Sequence, residues 1–493
     1  MKLVRGDRLK PLDEEAVEFT SSINADREII DAVIKVNTAH VLMLYNQGII
    51  TKDIAKNLLQ ALSSLNPKMK LNPELEDVHM NVEAEVMKIV GEDIGGWLNI
   101  GKSRNDQVAT AIRITLRDKL LNFSSNLISL CKALLSVAEK NLDVIMPAYT
   151  HLQHAQPVTL AHYLIAYHDT FLRDLQRLKD CYKRVNLSPM GSAALATSTL
   201  PIDRKLTSEL LGFNGIVENS IDAVSSRDFA IESAFCLATS MINMSRFCEE
   251  LILWGTKEWG FVEIPDEFCS TSSIMPQKKN PVVTELIRAK ASTSLGCFIS
   301  TISIVKSLPL GYSLDLQELT PNLWCICEQA IKSSYLLAKI VNKLSFNKDK
   351  MIKEGNDEFL MATDVADYLA SEKGLTFRKA HKLVGKAVKR ALEGLNFDFA
   401  IVEEAKALGI NISKDEIKEI LNARRAVEKR KVEGGPSKEL VSKMIEHRTV
   451  ILDCILGWLN LERERLSKAN ENLMIMVKKL IKEGGESYEK SIM

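Results

Sequence analysis

At 493 residues the chain is too long for one ordinary core, and length alone suggests roughly two to four domains. Lysine plus arginine and aspartate plus glutamate balance at 64 each, which excludes the basic footprint of a nucleic-acid binder or of a protein held on an anionic membrane. Nine cysteines are scattered without a Cys-x-x-Cys pair, the usage of buried thiols in a reducing, cytoplasmic setting.

In chain order, Met1-Lys2-Leu3-Val4-Arg5-Gly6-Asp7 shows no apolar signal segment. Residues 1–103 carry short helical patterns broken at Asn66-Pro67, Asn72-Pro73 and Gly95-Gly96, an expected N-terminal helical domain. Gly101-Lys102-Ser103-Arg104-Asn105-Asp106-Gln107 then supplies a turn, an N-cap and an arginine able to grip a carboxylate in two places. From Gln107 the apolar positions Val108, Ile112, Leu116, Leu120, Leu127, Leu130, Leu134 and Ala138 recur at helical spacing for over thirty residues. Similar patterns cover 160–185, 227–259, 282–306 and 322–344, within tracts that the 13 prolines leave uninterrupted. The expected fold is therefore all-α, with a five-helix central bundle over 104–356 and an aliphatic core. The uncharged stretch from Ala291 to Val305 is shorter than the roughly 20 apolar residues of a membrane span and suits the middle of a helical bundle.

Between these helices lie polar islands. Tyr149-Thr150-His151-Leu152-Gln153-His154-Ala155-Gln156-Pro157, with His162 and His168, places four of the eight histidines within eighteen residues. No cysteine cluster or His-Glu-x-x-His pattern accompanies them and Pro157 breaks any helix that could align them, so an acid–base histidine is expected and a metal is not. Thr271-Ser272-Ser273-Ile274-Met275-Pro276-Gln277-Lys278-Lys279-Asn280-Pro281 reads as an active-site loop. Asn280-Pro281 is expected to form an N-cap with proline at the first helical position, so that Lys278, Lys279 and the helix N-terminus attract a carboxylate. Glu285, on the first turns of that helix, could orient and charge a histidine such as His151. From about Asp357 shorter helices resume, beginning with Ala362-Thr363-Asp364; they are followed by a Gly434-Gly435-Pro436 turn, a further helix and a polar tail from Gly484. This is an expected C-terminal small domain over 357–493.

About 35 residues of helix at 1.5 Å rise span roughly 50 Å, so the 103–107 and 150–153 stretches lie at opposite ends of one rod. If both serve one site, neighbouring subunits must supply them, and a homo-oligomer with composite sites follows.

The loop 272–281 resembles the signature of the fumarase/aspartase lyase superfamily, and its Gln277-Lys278-Lys279 form is similar to the argininosuccinate lyase branch. Ser22-Ile23-Asn24-Ala25-Asp26-Arg27, Ser103-Arg104-Asn105-Asp106-Gln107, Thr150-His151-Leu152-Gln153, Asp315-Leu316-Gln317-Glu318 and Ala362-Thr363-Asp364 resemble the same branch, in order, over nearly the whole chain. The resemblance implies a three-domain, mostly helical homotetramer whose sites each draw on three subunits. It implies reversible elimination of argininosuccinate to arginine and fumarate, the final step of arginine biosynthesis, with no cofactor. By position, Ser272 would be the base and Lys278 and Asn280 would hold the carboxylate as charge develops. His151, paired with Glu285, would act on the acid side or orient substrate, while Ser22, Ser103, Arg104, Asn105, Thr150, Gln153, Tyr312 and Gln317 would bind it. The chain departs from the branch at Asn99, Ile100, Lys102, Thr271 and Thr320. Alternatives are a relative releasing fumarate from adenylosuccinate, aspartate or malate, or a catalytically silent structural homologue.

Overall fold

The computed structural model describes residues 13–483; the expected N-terminal segment 1–7 and the tail from Gly484 lie outside the described residues. Five long helices form the centre: α1 (Arg104–Glu139), α2 (Leu160–Val185), α3 (Asp228–Trp254), α4 (Val282–Val305) and α5 (Leu319–Lys343). Two of their ends differ from expectation. Helix α3 stops at Trp254, where the Gly255 N–H closes on Leu251 and the chain folds back so that the Phe261 N–H donates to the Trp254 carbonyl. Helix α5 begins before Pro321, because a first-turn proline gives up no intrahelical hydrogen bond.

Helix α1 opens on a capping box. The Ser103 side chain accepts the Asn105 N–H, while Asp106 accepts the Ser103 N–H at 2.9 Å. Its length, about 54 Å at 1.5 Å per residue, sets the long dimension of the bundle. It is also the one helix among the described residues long and apolar enough to cross a membrane. Most of that apolar stretch is instead buried inside the protein, as in a core helix. Two arginines on α1 are buried, and both close helix or loop ends. Arg113 donates to the last carbonyls of α2, Arg184 at 2.7 Å and Val185 at 3.2 Å, and stacks over Phe229 at the start of α3. Arg117 donates to Asn186 Oδ1, Gly212 O and Leu211 O. Cations placed on a helix C-terminus satisfy carbonyls that have no intrahelical partner and oppose the dipole there.

These contacts also fix direction. Helices α1 and α5 run parallel, since Lys119 lies over Trp324 and Asn126 reaches the Ile331 carbonyl. Helices α3 and α4 are antiparallel: Phe235 meets Phe298, and Glu249 pairs with Arg288. The chain between α1 and α2 is an antiparallel hairpin, β1 (Ile145–Thr150) and β2 (Gln153–Thr159), with Pro147 opposite Pro157. Elsewhere the strands are two-residue ladders, so the fold is all-α in substance.

A second, smaller core is built by Leu360, Val365, Leu369, Leu383, Val384, Ile401 and Ile417 on short helices and receives Ile145 from the hairpin. The chain then returns through α6 (Lys438–Glu483), 46 residues long, whose Val441, Ile445, Leu452, Leu459, Leu473 and Val477 pack on the central core. Residues of the N-terminal region, Val33, Val36 and Leu58 among them, belong to that same core.

Leu130 on α1 is fully buried. Leu130→Ala is expected to destabilise the protein by about 2–5 kcal/mol, through lost burial and the cavity left behind, with a lower urea midpoint at unchanged slope.

Candidate active site

The structure sorts the sequence-derived candidates into two places. At the N-terminal end of α1 lies a cleft of about 440 Å³ lined by Ser22, Asp26, Asp77, Arg104, Tyr312 and Gln317, among others. Ser22 precedes the short helix Ile23–Asp26, and its hydroxyl donates to Asp26 Oδ2 at 2.5 Å. Arg104 Nε sits 3.0 Å from Asp77 Oδ2, so this guanidinium is already oriented by a carboxylate of the protein. Gln317 Nε2 donates to the Thr20 carbonyl at 3.0 Å, and the Thr320 hydroxyl turns back to the Gln317 carbonyl at 2.7 Å. Asn105 donates to the Ala194 carbonyl at 2.9 Å, and Ser103 is engaged in the cap.

Two carboxylates here were missed in the sequence. Burial pushes Asp26 up to about 6, against the opposing hydrogen bond from Ser22, and Asp77 adds to the rise. Burial also raises Asp77, while Arg104 pulls it down. The available signals were Asp26 four residues after Ser22 and Asp77 as the N-cap of the helix Val78–Val90. Neither spacing differs from ordinary capping until the fold brings Arg104 between them.

The other candidates lie at the opposite end of the bundle, where α1 ends, α3 ends and α4 begins. Thr150, His151 and Gln153 are exposed in the hairpin turn. His151 and Leu152 have φ of +55° and +58°, with Thr150 paired to Gln153, so a two-residue turn of positive-φ geometry is made without glycine. A left-handed non-glycine residue costs roughly 1–2 kcal/mol, so the turn stores strain while it projects His151 outward. His154 faces Asp357 at 3.5 Å, His162 reaches the Gly434 carbonyl, and His168 is buried against Asp169. The histidine island therefore disperses, and only His151 stands clear of a protein partner.

The signature loop is pinned at its legs, where Ser270 and Thr271 pair with Asn280 and Lys279. This corrects the expected capping role of Asn280. Its backbone is taken by that ladder, and Pro281 occupies the N-cap position of α4, with its carbonyl accepting the Glu285 N–H and the Thr284 hydroxyl. Within the loop, Ser272 Oγ accepts the N–H of Ile274 at 3.3 Å and of Met275 at 3.1 Å. Lys279 is tied to Glu263 and Asp266, whereas Lys278, among the described residues, forms no ion pair and is exposed. Glu285 is exposed on the first turn of α4 and makes no bond to His151 within the chain.

Comparison with known proteins bears directly on this arrangement. A family model described as Lyase matches residues 6–296, and one described as Argininosuccinate lyase C-terminal matches residues 359–428. The argininosuccinate lyase of Methanocaldococcus jannaschii is 41% identical over 480 residues, covering 96% of this chain and 99% of its own length. The chain belongs to the argininosuccinate lyase family. Another argininosuccinate lyase, from Methanothrix thermoacetophila, is 42% identical over 477 residues, covering 96% of this chain and 98% of its own. Among solved structures, EDDS lyase in complex with formate superposes with a TM-score of 0.87 at 30% identity, over 96% of this chain and 97% of that one. The class II fumarase of Schistosoma mansoni, with a TM-score of 0.70 at 18% identity over 80% and 90% of the two chains, shares the fold.

In this argininosuccinate lyase family member the strained turn offers a direct check. Leu152→Gly is expected to leave stability unchanged or raise it by up to about 1 kcal/mol, because glycine adopts positive φ without penalty, whereas Leu152→Val is expected to lower it. Thermal melts of the two variants beside the parent decide, and a glycine variant less stable than the valine variant would refute the strain.

Proposed function

We propose that the protein catalyses the reversible elimination of 2-(N-omega-L-arginino)succinate to L-arginine and fumarate, the final step of arginine biosynthesis. The observation that carries this reading is end-to-end identity of about two residues in five with argininosuccinate lyases, with Ser272, Lys278, His151 and Glu285 all present. The reaction as written includes no step for a cofactor.

Ser272 is the base. Two backbone N–H groups already point at its Oγ, the arrangement that lowers the proton affinity of a hydroxyl and stabilises an alkoxide. It takes the proton from the carbon beside a carboxylate, and the released electron pair makes that carboxylate doubly charged. The unpaired ammonium of Lys278, with Asn280, holds this charge. The C–N bond then breaks, its electrons leave with the guanidino nitrogen of arginine, and the pair on carbon forms the double bond of fumarate. His151, with Glu285, orients substrate or serves the leaving side. Ser22, Ser103, Arg104, Asn105, Tyr312 and Gln317 at one end of α1, and Thr150 and Gln153 at the other, bind substrate.

One chain holds these groups at two ends of a rigid rod, so each complete site is shared in a homotetramer. The surface supports this. On α4, Leu286, Leu295 and Ile299 are 58%, 44% and 54% exposed, with Phe235 on α3 and Tyr335 on α5 similarly bare. Apolar side chains of this size gathered on the three packed helices α3, α4 and α5 mark an interaction face. The helix expected at the centre of a bundle lies on the outside of the single chain, and becomes central when subunits associate. All nine cysteines are unpaired, in keeping with a soluble enzyme of the cytoplasm.

Ser272→Ala is expected to keep the tetramer and lose about 10²-fold or more in turnover, read as fumarate absorbance; near-normal release would remove Ser272 from the role of base. Leu295→Glu should dissociate the assembly in light scattering and abolish turnover with it. Asp26 titrates at about 6 and is a carboxylate above that pH, so KM for the cationic arginine half should fall as pH rises through this value. Asp26→Asn should flatten that limb and raise KM roughly ten-fold, as for the loss of one charged hydrogen bond.

A further inference from the structure

Next to Arg104, which lines the cleft, lies a polar cluster that this reaction leaves without a task. Lys102 immediately precedes the cap of α1. Its side chain is half-buried, with the ammonium directed inward, where it donates to Asn37 Oδ1. Two carboxylates attract it there: Asp106 from α1, and Glu83 from the helix Val78–Val90. Glu83 also accepts a hydrogen bond from the Asn99 side chain. His40, on the helix Ile30–Asn46, meets the Ile100 carbonyl through Nε2 at 2.8 Å. A carbonyl only accepts, so Nε2 carries the proton. Burial, reinforced by Lys102, holds this imidazole down to about 3, so it is neutral at working pH. Asn99, Ile100 and Lys102, three of the positions that depart from the usual pattern, thus each find a partner in one small volume.

Asp106 connects this volume to the cleft. Its carboxylate accepts the N–H groups of Ser103 at 2.9 Å, Gly191 at 3.0 Å and Ala193 at 2.8 Å. Gly191 has φ +83°, and a Cβ there would meet Arg204 Cγ at 2.6 Å, so no other residue fits this approach without displacing that arginine. The same loop offers the Ala194 carbonyl to Asn105, and Arg104 leans on Asp77 at the start of the helix that carries Glu83. Arg204 brings a further positive charge near Asp106, but its guanidinium donates to the carbonyls of Met190, Val217 and Glu218.

We propose that Lys102 is a positioning residue for substrate binding: its ammonium, held among Asn37, Glu83 and Asp106, fixes the turn from which Arg104 reaches the cleft. This rests on the argininosuccinate lyase reading and adds to it a residue that touches no reacting atom.

Burial draws the Lys102 ammonium down to about 7, against the pull of Asp106 and Glu83. Burial also raises Asp106 to about 6 and lifts Glu83, so between there and about pH 7 one cation sits beside the ionised Asp106 carboxylate and Glu83. Above it the cation is gone, and the negative charge of Glu83 and Asp106 stands uncompensated, which loosens the capping turn. The charged form therefore belongs to tight binding, and binding weakens as pH rises through the lysine's titration. Lys102 touches neither the base nor the reacting carbon and acts only through the orientation of Arg104, so the effect falls on KM and not on kcat.

The test is initial-rate fumarate release by the full-length enzyme between about pH 6.5 and 9, for the parent, Lys102→Arg and Lys102→Met. The parent is expected to show KM rising roughly ten-fold across this range at nearly constant kcat, the weight of one charge-assisted hydrogen bond. Lys102→Arg, charged throughout, should keep the low KM at alkaline pH. Lys102→Met should have the high KM at every pH. A Lys102→Arg profile parallel to the parent's, a Lys102→Met protein with parental KM, or an effect on kcat in place of KM would overturn the proposal. Should a variant fail to fold, the parent alone decides, since a flat KM across the range is equally fatal. A parent that releases no fumarate at any pH would instead overturn the reaction, a separate outcome.

Discussion

A straight α-helix of 36 residues keeps its two ends about 54 Å apart, and most of the molecule is arranged by that separation. Helix α1 carries the Ser103 capping turn at its start and delivers the chain into the His151 hairpin at its end. Helices α3 and α4, antiparallel to each other, place the Ser272 loop at the hairpin end, while the chain after α4 returns Tyr312 and Gln317 to the start of α1. Buried Arg113 and Arg117 hold the rod in this frame, since each uses its guanidinium to close carbonyls of neighbouring elements. No local rearrangement of one subunit could unite the two groups. The proposed association through the apolar faces of α3, α4 and α5 would bring the two groups together between subunits.

The two ends also differ in physical character. At the start of α1 the polar groups are enclosed and interlocked: Asp26 with Ser22, Asp77 with Arg104, Asp106 with three backbone N–H groups, Lys102 with Asn37. Buried ionisable groups of this kind are expensive to maintain and are tolerated where binding requires fixed directions. At the other end, Ser272, Lys278, His151 and Glu285 lie on an exposed loop, a turn and a first helical turn. Pairing between 270–271 and 279–280 pins the legs of the loop, leaving its middle without regular structure. An interlocked polar cleft and an exposed loop thus lie on different surfaces of one chain.

Much of this was legible in the residues. Apolar spacing located all five central helices, because a long buried face must repeat at the helical period whatever it packs against. The Ser103 cap was equally readable, since its partner Asp106 lies three residues away. The hairpin was not read as strands: Pro147 and Pro157 announced an interruption of helix but said nothing of their pairing with each other. Asn280 was misread as a cap because Asn-Pro before an apolar run has the local signature of one, whereas its backbone is claimed by Ser270, ten residues earlier. Helix α6, expected as a further helix between Pro436 and Gly484, fills that interval from Lys438 to Glu483, its buried positions from Val441 to Val477 set among charged residues.

The sequence by itself determined what depends on near neighbours along the chain: helix positions, the cap of α1, the reactive motifs and their order, and, through resemblance, the family and its chemistry. The length of α1 also placed the 103–107 and 150–153 stretches at opposite ends of one rod, because rise per residue is a local property. Only the tertiary structure decided what depends on groups brought together from distant segments. Asp26 and Asp77 become cleft carboxylates through Arg104. Lys102 becomes an inward ammonium through Asn37, Glu83 and Asp106. His151 is projected by a turn held at positive φ. Charge burial and proton affinity are set by everything within a few ångströms in space, and no pattern along one segment encodes them.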